Sequence, residues 1–241
     1  MRILVVNDDG IEAEGLRRLA AAAAELGETW VVAPDRPNSG MSQCITIWDT
    51  LTAVPYPFPV PGVAGAFACS GTPADCTDVA LSALMPQRPD FILSGINNGY
   101  NAGNDIVYSG TIGAAMEGLM QGIPAAAFSH EKVDDYSVTD RYLREVIRRI
   151  LAEKPLRNRI WNVNFPECGL DKCKGIRWGT VPAGKGFFRM EFRTGKEEKG
   201  VRSLINADVP EDRSLFPEGS DLAAVVDGYV SVGTVRCCVM P

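Results

Sequence analysis

The chain carries a single histidine, His130, among 241 residues. That scarcity excludes a multi-histidine zinc centre, a zincin motif and a two-histidine relay within one chain. A Ser-His-Asp triad has only His130 to draw on, and no Gly-x-Ser-x-Gly elbow is present. His130 follows an apolar run at residues 125–128 and reads as a loop-edge residue. Long apolar runs are lacking too, and none approaches the roughly 18 residues of a membrane-spanning helix. Basic charge is in the minority, with 24 Lys and Arg against 30 Asp and Glu and a formal net charge of −6. With no long basic stretch, the chain is poorly suited to gripping a nucleic-acid duplex by its phosphates. A small phosphorylated substrate stays admissible where a metal ion intervenes.

Cysteine is not scarce, but its seven copies are an odd number in a chain long enough to bury a core without staples. Cys168 and Cys173 have a loose metal-like spacing with no second pair and no histidine nearby, and Cys237 and Cys238 are adjacent. Reduced thiols in the cytoplasm are expected. Asp8 and Asp9 come too early for the apolar region of a signal peptide. No Gly-x-Gly-x-x-Gly follows the first apolar run and no Gly-x-x-x-x-Gly-Lys-Ser/Thr occurs, which argues against a dinucleotide fingerprint and a Walker loop. The Asp-x-Asp spacing of aspartyl-phosphate phosphatases is absent because Asp8 and Asp9 are contiguous.

What is present reads as α/β. Residues 3–6 form a short β-branched run, residues 11–26 turn helical with Leu16, Leu19, Ala20, Ala23 and Leu26 on one face, and residues 30–33 read as the next strand. Gly27 is placed to close the helix. This βαβ order predicts a parallel sheet with right-handed crossovers. Residues 45–54 are a candidate strand and 55–65, with four prolines, an irregular stretch. Thr72-Pro73-Ala74-Asp75 opens a helix, with Thr72 as N-cap and Pro73 in the first turn. Strands are expected at 91–93, 125–128 and 160–165, helices at 111–120 and 138–152, and a long Gly/Asn loop at 97–110. Past Pro166, Phe188, Met190 and Phe192 alternate with Arg189, Glu191 and Arg193, the period of a half-buried strand, ahead of a charged turn at 194–200. One domain is expected over 1–241, with an α/β core at about 1–166 and a β arm and C-terminal strands at about 167–241.

Asn7-Asp8-Asp9-Gly10 leaves the first strand at the edge where parallel sheets bind ligands. Two adjacent carboxylates there repel each other, and burial raises the cost of ionising both. A divalent cation with hard oxygen ligands is the usual remedy, and Gly10 eases the bend that brings both side chains to one ion. The plainer alternative has Asp9 capping the following helix and Asp8 in water. Ser39, in Asn38-Ser39-Gly40, and Asn97, in Ser94-Gly95-Ile96-Asn97-Asn98-Gly99, leave the same sheet edge and offer neutral oxygens. Singly, each is a turn former. Ser109-Gly110-Thr111 enters a helix, where free N–H groups bind an anion or Ser109 simply caps.

These segments, in order from residue 3 to about 232, resemble the signatures of the survival protein E (SurE) family. The resemblance is carried by Val6-Asn7-Asp8-Asp9-Gly10-Ile11, Ala33-Pro34-Asp35-Arg36 with Ser39-Gly40, and Ser70-Gly71-Thr72-Pro73-Ala74-Asp75-Cys76. It continues through the Asn97 segment, Asp105-Ile106-Val107-Tyr108-Ser109-Gly110-Thr111 with Glu117-Gly118, and Asp227-Gly228-Tyr229-Val230-Ser231-Val232. It implies a Rossmann-like three-layer parallel-sheet core with an appended β-hairpin arm. It also implies a metal-dependent phosphatase acting on nucleoside 5′-monophosphates, and in some members on 3′-nucleotides or short polyphosphate. One divalent ion per subunit, Mg²⁺ or Mn²⁺ (Ca²⁺ in crystals), would be held by Asp8, Asp9, Ser39 and Asn97. Asp8 and Asp9 would be the catalytic carboxylates, and Ser109, Gly110 and Thr111 would bind phosphate. Family members continue into a C-terminal helix that helps exchange arms between subunits, whereas this chain stops at Pro241. A homodimer is therefore expected, with a homotetramer as the larger assembly. The competing functions are a metal-dependent nucleotidyl or sugar-nucleotide transferase and a nucleotide-binding module without turnover.

Overall fold

The computed structural model describes residues 1–131, 134–189, 191–207, 209–210, 212–213 and 216–240. β1 (Arg2–Val6), α1 (Glu14–Ala24) and β2 (Glu28–Pro34) open the chain, followed by β3 (Ala53–Pro55), β4 (Val63–Cys69) and α2 (Pro73–Val79). β5 (Phe91–Asn98), α3 (Gly110–Met120), β6 (Ala125–His130), α4 (Ser137–Ala152) and β7 (Arg159–Phe165) complete the repeating α/β pattern. Then come β8 (Ile176–Thr180), β9 (Phe188–Arg189), β10 (Phe192–Glu198), β11 (Val201–Asn206), β12 (Val209–Pro210), α5 (Asp221–Val226) and β13 (Val230–Arg236).

A nine-stranded sheet runs β3-β4-β2-β1-β5-β6-β7-β13-β8. The six strands from β4 to β7 are parallel neighbours, while β3 pairs antiparallel with β4 and β13 antiparallel with β7. α1 and α4 pack on one face with Ile3, Val5 and Leu93, while α2 and α3 pack on the other with Leu4, Val6 and Ile92. Successive strand residues point to opposite faces, so a strand buried on both faces reads as an unbroken apolar run. Each fully buried Leu or Ile adds roughly 1.5–3 kcal/mol of hydrophobic stabilisation. The chain steps from β1 outward through β2 to β4, then returns past β1 to β5 and continues to β7. The direction therefore reverses between β1 and β5, and the crevice outside their carboxyl ends is where such sheets bind ligands.

Several expectations change. Of residues 45–54 only the last two join a strand, because that segment is held by side chains instead of a ladder: Thr46 bonds Asp75 and Thr72 bonds the Cys44 carbonyl. β4 emerges from the stretch expected to be irregular. Its small residues admit a neighbour, since a Cβ on Gly65 would lie 2.4 Å from the Trp30 ring. Gly27 does not close α1 in a left-handed conformation; a Cβ there would lie 2.2 Å from the Met1 carbonyl oxygen. β5 runs on to Asn98, and the long loop contains a 3-10 turn at Gly103–Tyr108. His130 is not at a loop edge: it ends β6 at 2% exposure, with its ring 4.2 Å from that of Tyr136. The main sheet does not stop at residue 166, because β8 and β13 return to it.

The arm is a hairpin, β10 against β11, turned at Lys199-Gly200, both at positive φ. The charged stretch 194–200 is thus mostly strand. Every residue of β10 and β11 is exposed, so the expected half-buried face is not buried within this chain. Of the three apolar residues that suggested it, Phe192 is 58% exposed, Met190 lies outside the described residues, and Phe188 is described by its backbone alone.

Candidate active site

β1 delivers Asn7, Asp8 and Asp9 to the crevice. Gly10, at φ 99°, turns the chain back, and Asn7 Nδ2 donates to its carbonyl at 2.9 Å. Ile11 N–H then donates to Pro34 O at 2.9 Å, which ties the turn to the end of β2. Asp8 is 3% exposed and accepts the Thr111 hydroxyl proton on Oδ1. Asp9 is half-buried and accepts the Asn98 N–H on Oδ2 at 2.9 Å. The two adjacent carboxylates thus engage different partners, Asp8 at the start of α3 and Asp9 at the end of β5.

Both are raised from the ordinary aspartate value. Burial raises Asp8 to about 6, the Thr111 bond opposes it, and the neighbouring Asp9 charge adds to the rise. Burial raises Asp9, and the Asn98 N–H opposes it. A site that resists ionising two carboxylates side by side is one that a divalent cation would relieve.

The other expected ligands arrive from neighbouring strand ends. Asn38 N–H donates to Asp8 O at 2.7 Å, so Ser39 stands one residue beyond an anchored position, with its side chain exposed. Asn97 donates its amide proton to Gly99 O at 2.6 Å, which leaves Oδ1 as the oxygen it can offer. Two carboxylates, an amide oxygen and a hydroxyl are donors of the hard-oxygen kind that suits Mg²⁺, Mn²⁺ or Ca²⁺.

α3 starts against Asp8. A Cβ on Gly110 would lie 2.9 Å from Asp8 Cβ and 3.0 Å from Pro73 Cγ, so only glycine allows this approach. Ser109 caps the helix, its Oγ accepting from Ile112 N–H at 3.2 Å, as the capping alternative expected. Thr111 is fully buried with its hydroxyl on Asp8. The hydroxyls of Ser109 and Thr111 are therefore engaged, while the N–H groups of Gly110 and Thr111 belong to the first turn and have no partner within the helix.

Residues outside the sequence expectation hold this frame. Ser94 donates to Thr111 O at 2.7 Å. Asp221, 4% exposed, accepts from Gly103 N–H at 2.9 Å and Ala183 N–H at 3.0 Å, fixing the loop that leads to Ser109. Asn164 accepts from Asn101 N–H at 2.9 Å, and Asn162 donates to Asn101 O at 2.8 Å. Asparagines alternating inside the apolar strand Ile-Trp-Asn-Val-Asn-Phe were a readable signal, because a buried amide needs a partner. Asp221 had no such signal.

A doubly wound α/β sheet with contiguous carboxylates at its reversal point, faced by a helix N-terminus, belongs to the class of α/β proteins whose ligand crevice lies outside the carboxyl ends of the strands. The family described as "Survival protein SurE" matches residues 3–185, and the chain belongs to the SurE family. A 5′/3′-nucleotidase SurE of Klebsiella pneumoniae is 42% identical over 233 residues, covering 96% of this chain and 88% of that protein. A 5′-nucleotidase SurE of Synechococcus is 38% identical over 239 residues, covering 96% and 90%. The crystal structure of the SurE protein from Aquifex aeolicus superposes with a TM-score of 0.81 at 32% identity, covering 99% of this chain and 94% of that one.

Proposed function

We propose that this protein is a metal-dependent phosphatase that hydrolyses nucleoside 5′-monophosphates, with 3′-nucleotides and short polyphosphate as further substrates. The observation that carries this is the buried Asp8, contiguous with Asp9, pressed against the N-terminus of α3, and the names of the relatives support the substrate class. Asp8, Asp9, Ser39 and Asn97 would hold one divalent ion, Mg²⁺ or Mn²⁺. Bound there, it would neutralise charge on the phosphoryl oxygens. The N–H groups of Gly110 and Thr111 bind the phosphate, with the field of α3 behind them. Ser109 and Thr111 keep that turn rigid, Thr111 by its bond to Asp8. Asp8 or Asp9 would also orient the attacking water or take its proton; one Asp9 oxygen is already engaged by the Asn98 N–H.

Among the described residues no helix is long and apolar enough to cross a membrane, and the seven free cysteines support a cytoplasmic setting. The exposed Phe192, Val201, Leu204 and Ile205 support a homodimer or homotetramer assembled through the arm. The deciding experiment is phosphate release from AMP and GMP with added Mg²⁺ or Mn²⁺. Metal-dependent release supports hydrolysis. Tight binding without release would replace it with a binding module, and transfer to an acceptor without release would replace it with a transferase.

A further inference from the structure

Among the described residues two positions other than glycine hold a positive φ, Lys199 at 51° and Ser42 at 54°. Lys199 turns the arm's hairpin, where such angles are ordinary. Ser42 turns no hairpin. It sits in a tight turn closed by the Cys44 N–H on the Met41 carbonyl at 3.1 Å, and a residue with a side chain is disfavoured at that angle where glycine is not. Such an outlier persists only where its surroundings fix it. Three contacts fix this one. The Ser42 N–H donates to Tyr108 O at 2.9 Å, and the Ser42 hydroxyl donates to Val107 O at 2.8 Å. The first turn of α3 lies directly on the Ser42 backbone, since a Cβ on Gly113 would stand 2.1 Å from Ser42 O. Val107 and Tyr108 are the last two residues before Ser109, where the phosphate-binding turn begins.

The same loop has a second anchor, the Asn38 N–H on Asp8 O at 2.7 Å. Between the two anchors run only Ser39, Gly40 and Met41. Gly40 is at φ 74°, and a Cβ there would meet nothing within 4 Å. Ser39 is exposed. The span therefore has little packing of its own, and where Ser39 stands is set by the anchors on either side. We propose that Ser42 is a positioning residue that holds the Ser39 loop in register with the phosphate-binding turn, so that Ser39 is in place for the divalent ion with Asp8, Asp9 and Asn97. This rests on the assignment of Ser39 as a ligand in a metal-dependent phosphatase. A ligand ordered in advance spares the ion the entropy of ordering a free loop.

The test reads Mn²⁺ affinity from the electron paramagnetic resonance of the free ion, with no substrate present. Ser42→Gly removes the hydroxyl at a position whose φ glycine prefers, and Ser42→Ala removes it with a Cβ retained. Each should weaken Mn²⁺ binding about fivefold, the worth of one hydrogen bond. Ser39→Ala should weaken it at least as much. Adding Ser42→Gly to Ser39→Ala should weaken it no further, because Ser42 acts on the ion only through Ser39. A residue that served the fold alone would lower the melting temperature and leave Mn²⁺ affinity unaltered. Wild-type Mn²⁺ affinity in Ser42→Gly, or a loss in the double variant equal to the product of the two single losses, overturns the proposal. A wild type that binds Mn²⁺ and responds to these substitutions as expected, yet releases no phosphate from AMP, overturns the phosphatase assignment and leaves the role of Ser42 standing.

Discussion

The crevice and the arm are held by opposite kinds of contact. In the crevice, Asp8 bonds Thr111, 103 residues away, and Asp9 bonds Asn98, 89 residues away. In the arm, Arg202 bonds Glu197, Ser203 bonds the Lys196 carbonyl, and one antiparallel ladder supplies the rest. The crevice therefore depends on the whole sheet being assembled, whereas an isolated two-stranded hairpin is marginal by itself. Rigid, desolvated geometry suits catalysis. A projecting ribbon with apolar side chains in water suits a surface that another molecule covers.

The largest expected effect comes from removing charge in the crevice. Asp8→Asn keeps an oxygen for Thr111 and a similar shape but removes the carboxylate, and Asp9→Asn keeps an acceptor for Asn98. Each should lower metal-dependent phosphate release by at least about a hundredfold. Thermal stability should hold or rise for Asp8→Asn, because a buried charge has been removed. Near-wild-type turnover in both variants would show that the carboxylates serve the fold and not the chemistry.

Gly110→Ala should come next. Its Cβ would meet Asp8 Cβ at 2.9 Å and Pro73 Cγ at 3.0 Å, neither the loose end of a flexible chain. α3 must shift, costing about 1–3 kcal/mol of stability, and the phosphate-binding N–H groups move with it. Activity is expected to fall about tenfold or more, mostly in KM, as steady-state kinetics beside a melting curve would show. A loss of stability with unaltered KM would remove the anion-binding role from this turn.

How much of this was legible in the sequence follows the same division. Asp8-Asp9-Gly10 was readable because the three are consecutive and end an apolar strand. Thr72 caps α2 as its place before Pro73 announced, and Asp75 returns a bond to the Thr72 N–H that was not foreseen. Gly110 against Asp8 was not readable, because that contact joins two distant segments, and neither segment alone shows it. β4 was missed because Ala and Gly have weak strand preference and its strand character comes from pairing with β2. The short α5 was also missed, and with it the buried Asp221 that anchors Gly103. In the arm, charge at Lys196, Glu197 and Glu198 suggested a turn, yet a ribbon exposed on both faces carries charge throughout its strands.

A smaller effect tests His130, at the border of the crevice. Burial, helped by the Arg18 charge, pushes the imidazole down from 6.5 to about 4, and Nε2 has no partner among the described residues. Between those values the unfolded chain takes up a proton that the folded chain refuses. Stability from this residue is therefore intact above pH 6.5 and is lost as pH falls toward 4, at no more than roughly 1.4 kcal/mol per pH unit. Urea unfolding at pH 7 and pH 5 should show a smaller loss for His130→Phe than for wild type. Equal losses would place the acid sensitivity elsewhere.

The smallest effect on the individual chain should come from the arm. Phe192 and Leu204 lie on one face of the hairpin, since Phe192 and Thr194 alternate past Arg193 and Thr194 pairs with Leu204. They are 58% and 64% exposed, so replacing both with serine removes little burial within the subunit. The subunit's own stability should change by no more than roughly 0.5 kcal/mol per site. Assembly should change far more: a face that is apolar, projecting and uncovered in one chain becomes buried in a dimer or tetramer, and serine weakens that contact on each copy. Sedimentation at micromolar concentration should show the wild type as a dimer or larger and Phe192→Ser/Leu204→Ser shifted toward monomer. If the wild type sediments as a monomer, or the double variant assembles like the wild type, the hairpin is not the assembly surface, and the contrast between a self-contained crevice and a partner-dependent arm fails on the arm's side.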